Sequence, residues 1–160
     1  MQRMRAGLIA LVLAMIPPAW ADGPEPAPLA GRWALDVARM SQPPEARPKG
    51  VTIAFEDAGD GYWRMEVEIV DAADGKTSMG TRLPLDGSPV TFERNAEADS
   101  AAMRMPSPGV MVVGLGRNGV PASTRVYSVS ADGDAMTEVA SYLDPAGKPL
   151  LRVNHFTRVR

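Results

Sequence analysis

Apolar and polar residues alternate through most of this chain, with short turn sequences between the alternating runs. Val51, Ile53 and Phe55 fall on one side of a period of two, with Thr52 and Glu56 on the other. Asp60-Gly61 interrupts, and Trp63, Met65, Val67 and Ile69 then alternate with Arg64, Glu66 and Glu68. A strand sends successive side chains to opposite faces, so this spacing predicts half-buried strands over 49–56 and 62–70. DAGDG between them predicts a hairpin. Asp74-Gly75, Asp86-Gly87, Asn118-Gly119, Asp132-Gly133 and Ala146-Gly147 mark further reversals, because Gly supplies the positive φ that tight turns need. Between them lie predicted strands near 31–36, 76–83, 89–94, 101–105, 109–116, 122–130, 135–143 and 149–159. No segment keeps a 3.6-residue period. The only helical expectation is one turn over 37–42, ended by Pro43-Pro44. Eight to ten consecutive antiparallel strands predict an all-β fold. An up-and-down barrel is favoured over a β-sandwich, because closure removes exposed strand edges.

The first residues break this pattern. Arg3 and Arg5 precede an uninterrupted run, Ala6–Ile16, then Pro17-Pro18 and Ala19-Trp20-Ala21. A charged start, a short apolar run and small residues at a cleavage site make 1–21 a secretory signal, cut between Ala21 and Asp22. The run is far short of the roughly 20 residues that span a bilayer. Residues 22–30 (DGPEPAPLA) read as a flexible proline-rich lead-in. Residues 31–160 are expected to form a single barrel domain that works in the periplasm or outside the cell.

Composition narrows the function classes. The 160 residues include 17 Lys+Arg, 19 Asp+Glu and no Cys. Removing 1–21 takes two arginines and no acid, leaving a net charge of −4. A mildly acidic domain lacks the basic stripe of a nucleic-acid binder. The absence of cysteine excludes disulfides, thiolate metal sites and a cysteine-linked lipid.

Chemistry-bearing motifs resolve into structural ones. Gly114-Leu115-Gly116-Arg117-Asn118-Gly119 matches G-x-G-x-x-G, but a strand follows where a dinucleotide site needs a helix. It reads as a hairpin turn. His155 is the only histidine and sits on a predicted strand face with Val153, Thr157 and Val159. Met103, Met105 and Met111 could supply thioether ligands to a soft metal, but methionine is also ordinary core filler. The Asp57/Asp60, Asp71/Asp74 and Asp132/Asp134 pairs fit turns and lack the spacing of a calcium loop. No catalytic set, metal site or cofactor is expected.

Gly31-Arg32-Trp33 opens the first strand as GRWALDVARMS, and its G-x-W resembles the lipocalin signature. That resemblance implies that Trp33 plugs one barrel end. It further implies that an arginine packs over the indole, with Arg158 the best placed and Arg152 and Arg160 as competitors. With FEDAGDG, LPLDGSPV, SVSADGDAMT and HFTRVR, the chain is similar to small exported bacterial proteins with a lipocalin-like domain of unassigned activity. The resemblance implies a calycin-type barrel and an exported setting. Because the interior of a barrel of about eight strands can hold one small molecule, the function expected is non-catalytic binding of a small apolar ligand in the cell envelope. Its predicted lining is Phe55, Trp63, Met65, Val67, Ile69 and Phe92. The alternative is a solid barrel that contacts an envelope protein through its loops, 42–48 and 95–108 being the obvious surfaces. A cavity of a few hundred Å³ would favour the first.

Overall fold

Each run of alternation becomes a strand that pairs with the next. In the computed structural model, residues 27–160 are described except Arg94 and Ala96. The expected signal, 1–21, lies outside the described residues, as do residues 22–26 of the expected lead-in. Ten strands occur among the described residues. They are β1 (Gly31–Leu35), β2 (Gly50–Asp57), β3 (Tyr62–Val70), β4 (Lys76–Pro84), β5 (Val90–Thr91), β6 (Ser100–Ser107), β7 (Val110–Arg117), β8 (Val120–Val129), β9 (Ala135–Leu143) and β10 (Pro149–Val159). All pairings are antiparallel, in the order β4-β3-β2-β1-β10-β9-β8-β7-β6-β5. This is an up-and-down meander whose first and last strands zip together, Trp33 opposite Arg158. β4 and β6 come close across the remaining seam but share no ladder. The barrel is therefore nearly closed. Among the described residues no helix is long and apolar enough to cross a membrane.

Turn chemistry sets the strand ends. Asn118 (φ 54°) and Gly119 (φ 75°) form the two-residue β7–β8 turn inside the G-x-G-x-x-G stretch, with Arg117 opposite Val120. Positive φ at both central residues matches the twist of the flanking strands. Asp57 and Asp71 accept hydrogen bonds from the backbone N–H of Gly59 and Ala73 in their own turns. Asp132 accepts one from the N–H of Asp134 and one from the Ser130 hydroxyl, which together lower its pKa.

Two predicted strands differ. The strand expected over 89–94 shrinks to Val90–Thr91. The chain turns away because the Asn95 side-chain oxygen accepts from the N–H groups of Glu97 and Ala98, both at 2.8 Å. The short piece expected at 101–105 extends over Ser100–Ser107, with an irregularity between Arg104 and Ser107. Val37–Arg39 is a 3-10 turn capped by the Asp36 carboxylate, and Pro44–Ala46 is a second one.

The core fills one end. Trp33, Phe55, Trp63, Met103, Met111, Tyr127, Met136 and Phe156 are all buried there. Phe55 meets Tyr127 edge to face with ring centroids 5.1 Å apart. Met103 and Met111 are fully buried core side chains. The Arg158 guanidinium stands 4.1 Å from the centre of the Trp33 ring. It also donates to the carbonyl oxygens of Gly133 and Ala30, at 2.6 and 2.7 Å, and to that of Pro28. The Trp33 indole N–H donates to the Leu29 carbonyl at 3.0 Å.

These bonds change the picture of the lead-in. Its last four residues, 27–30, are not loose. Leu29 is fully buried against the core, and the carbonyls of 28–30 are taken up by Trp33 and Arg158. The prolines of the segment suggested loose chain, but Leu29 has a core to join, and burying such a side chain stabilises by about 1.5–3 kcal/mol.

Candidate functional site

The other half of the barrel is hollow. A cavity of about 520 Å³ lies there, within the size range of small-molecule sites. Its base is formed by Ile53, Leu83, Ala101, Val113 and Phe156, side chains that also belong to the core.

Its two walls differ chemically. On one side β2, β3 and β4 present Val51, Met65, Val67, Ile69 and Met79. Met40, just after the first 3-10 turn, and Phe92, just after β5, extend this apolar lining. On the other side β8, β9 and β10 present Arg125, Glu138, Arg152 and Asn154. The register explains the grouping. Tyr127 lies opposite Glu138, and Glu138 opposite Asn154. One step toward the open end, Arg125 and Arg152 both lie opposite Ala140. All six side chains therefore share the inner face.

Glu138 is only 1% exposed, and a buried carboxylate is tolerable when its oxygens are occupied by donors. Here one oxygen accepts from the Tyr127 hydroxyl at 3.0 Å and Arg125 Nη1 at 3.1 Å. The other accepts from Asn154 Nδ2 at 2.5 Å. Arg125 Nη2 donates to Glu97 at 2.8 Å. Burial and the neighbouring Glu138 charge push the Tyr127 phenol well above its usual value of 10.0. Burial alone would lower Arg125, but Tyr127, Glu97 and Glu138 outweigh it and keep the guanidinium charged. Three buried polar atoms on this wall find no partner among the described residues: Arg125 Nε, Arg152 Nε and Asn154 Oδ1.

Met65, Val67, Ile69 and Phe92 line the cavity. Phe55 and Trp63 do not, and this corrects the expected lining. They share strand faces with Ile53 and Met65, but both sit at the filled end, where Phe55 packs on Tyr127. Period two gives the face of a strand and says nothing about depth along the barrel. Trp33 and Arg158 pack together at that filled end, away from the cavity. His155 is half-buried on β10, between inward-facing Asn154 and Phe156.

The polar wall escaped the sequence reading. Its one signal is Glu138, which interrupts an otherwise apolar stripe of Met136 and Ala140. Arg125 and Arg152 resemble ordinary solvent-facing charges in their strands.

No protein-family model matches the chain, and no curated protein sequence matches it. Solved structures do resemble it. A Schistosoma mansoni fatty acid binding protein in complex with arachidonic acid superposes with a TM-score of 0.58 at 10% identity, over 84% of this chain and 98% of that one. The zebrafish ileal bile acid-binding protein complexed with cholic acid gives 0.52 at 11% identity, over 82% and 99%. The fluorescent protein UnaG gives 0.52 at 14% identity, over 81% and 96%. At these identities the likeness is one of fold: a calycin-type, ten-stranded barrel.

Proposed function

We propose that this protein carries or senses a small ligand with an apolar body, held without catalysis inside the barrel, and that it does so in the cell envelope. One observation carries the reading: a cavity of about 520 Å³ with an apolar wall from β2 to β4. A solid barrel would have filled that space with side chains, as this one does at its other end. Two of the similar folds hold arachidonic acid and cholic acid, which supports an apolar cargo. The envelope setting rests on the signal read at residues 1–21.

Native mass spectrometry of the protein purified from its host's envelope tests both halves. The expected spectrum shows a chain beginning at Asp22 with a co-purified lipid-like mass. A chain retaining Leu8–Ile16 would overturn the export reading. An empty barrel that also takes up no apolar probe would overturn the carrier reading.

A further inference from the structure

The ligand's polar end can be read from the wall that would receive it. Asn154 is 7% exposed and lines the cavity. Its amide nitrogen donates to Glu138 at 2.5 Å. A carboxylate offers only acceptors, so this bond fixes the amide with its oxygen turned the other way. That oxygen is buried, and among the described residues no donor reaches it. Arg125 Nε and Arg152 Nε, on the same inner face one register step away, are buried donors that no acceptor among the described residues reaches. The two arginines flank Ala140 in the strand register.

A buried acceptor beside buried donors is matched by a group that both gives and takes a hydrogen bond. An ionised carboxylate cannot give one to Asn154. It would also enter a lining that already carries an excess of negative charge: among the described residues Arg125 and Arg152 stand against Glu93, Glu97 and Glu138. Arg125 is engaged by two of those carboxylates. Taking a carboxylate out of water into such a site is costly. Arg152, whose guanidinium lies 5.8 Å from the centre of the Tyr142 ring, pairs with none of these carboxylates. A carboxylate set against it would still leave the buried Asn154 oxygen without a donor.

Building on the carrier reading, we propose that the cavity selects ligands with an uncharged donor–acceptor head, a hydroxyl or a primary amide, over those ending in an ionised carboxylate. This separates the protein from its fold neighbours, whose named ligands are both carboxylic acids.

Three probes with the same ten-carbon chain test this by calorimetric titration of the purified protein at pH 8. Decan-1-ol gives and takes a hydrogen bond, its methyl ether only takes one, and decanoate is an anion that only takes them. The expected order is decanol tightest, with ether and decanoate each weaker by about tenfold, the usual consequence of leaving a buried polar group unmatched. Asn154→Leu should bring the ether to within about threefold of the alcohol. If the variant does not fold, the three probes on the unaltered protein still decide. Decanoate binding tightest, or three equal affinities, would overturn the proposal and leave the carrier reading standing. Failure of all three to bind would sink the carrier reading itself.

Discussion

The two halves of this barrel are built from the same strands by opposite means. At the Trp33 end, large side chains from nearly every strand meet and exclude space. At the other end the same alternation continues, but Val51, Val67 and Ile69 face Arg125, Arg152 and Asn154 and leave about 520 Å³ unfilled. A strand register carries no instruction to be solid or hollow. The residue sizes at each level decide it, so one half can hold the fold while the other is free to hold something else.

Substitutions should separate the two halves. The largest effect is expected from Trp33→Ala, which removes a fully buried indole and the Arg158 contact. Urea denaturation should show a loss of about 3–5 kcal/mol. Next comes Glu138→Leu, which strips the donors of Tyr127, Arg125 and Asn154 of their shared acceptor. A loss of about 2–3 kcal/mol is expected, because Arg125 keeps Glu97. A loss as large as that for Trp33 would mean that the polar wall supports the fold as strongly as the core does.

Val67→Phe should act the other way. It adds volume to a cavity, so stability should change by less than about 1 kcal/mol, or rise. Binding of apolar probes should fall steeply in the same calorimetric titration. A strongly destabilised Val67→Phe would show that the hollow half is already packed. The smallest effect belongs to the outer surface. Leu151 is 72% exposed, and Leu151→Ser should stay within about 0.5 kcal/mol in the melting curve.

Alkaline pH sharpens the boundary between the halves, where Tyr127 sits. Its phenol is held above its ordinary value, so the folded state keeps a proton that the unfolded chain releases near pH 10. The associated stability is complete below that pH and is lost as pH rises toward the folded value. Denaturation series between pH 9 and 12 should show this decline, and Tyr127→Phe should flatten it.

How far the sequence revealed this plan depended on the strand. Residues 62–70 sort cleanly into an apolar and a charged face, so β3 and three of the cavity's lining residues were readable. Depth was not. Trp63 and Val67 share a face, yet one seals the core and the other lines the cavity. β8 and β9 mix polar and apolar residues on both faces, because the inner face itself is polar at Arg125 and Glu138. An inward charge in such a strand looks like an outward one until its neighbours on the adjacent strands are known.

The pairing of the first strand with the last has a consequence for how the chain reaches this state. Arg158 grips the Ala30 carbonyl across 128 positions of sequence, and β1 rests on β10 along its length. The barrel cannot seal from local hairpins alone. Its first strand must wait, unpaired on one side, until residues 149–159 arrive. The other ladders join consecutive strands, so this one distant pairing carries a loop-closure cost that the hairpins do not. A chain lacking its last strand would hold hairpins without a seal around the cavity. Closure of the cavity and completion of the polypeptide are thereby ordered in time: the enclosed space exists only after strand β10 is laid down.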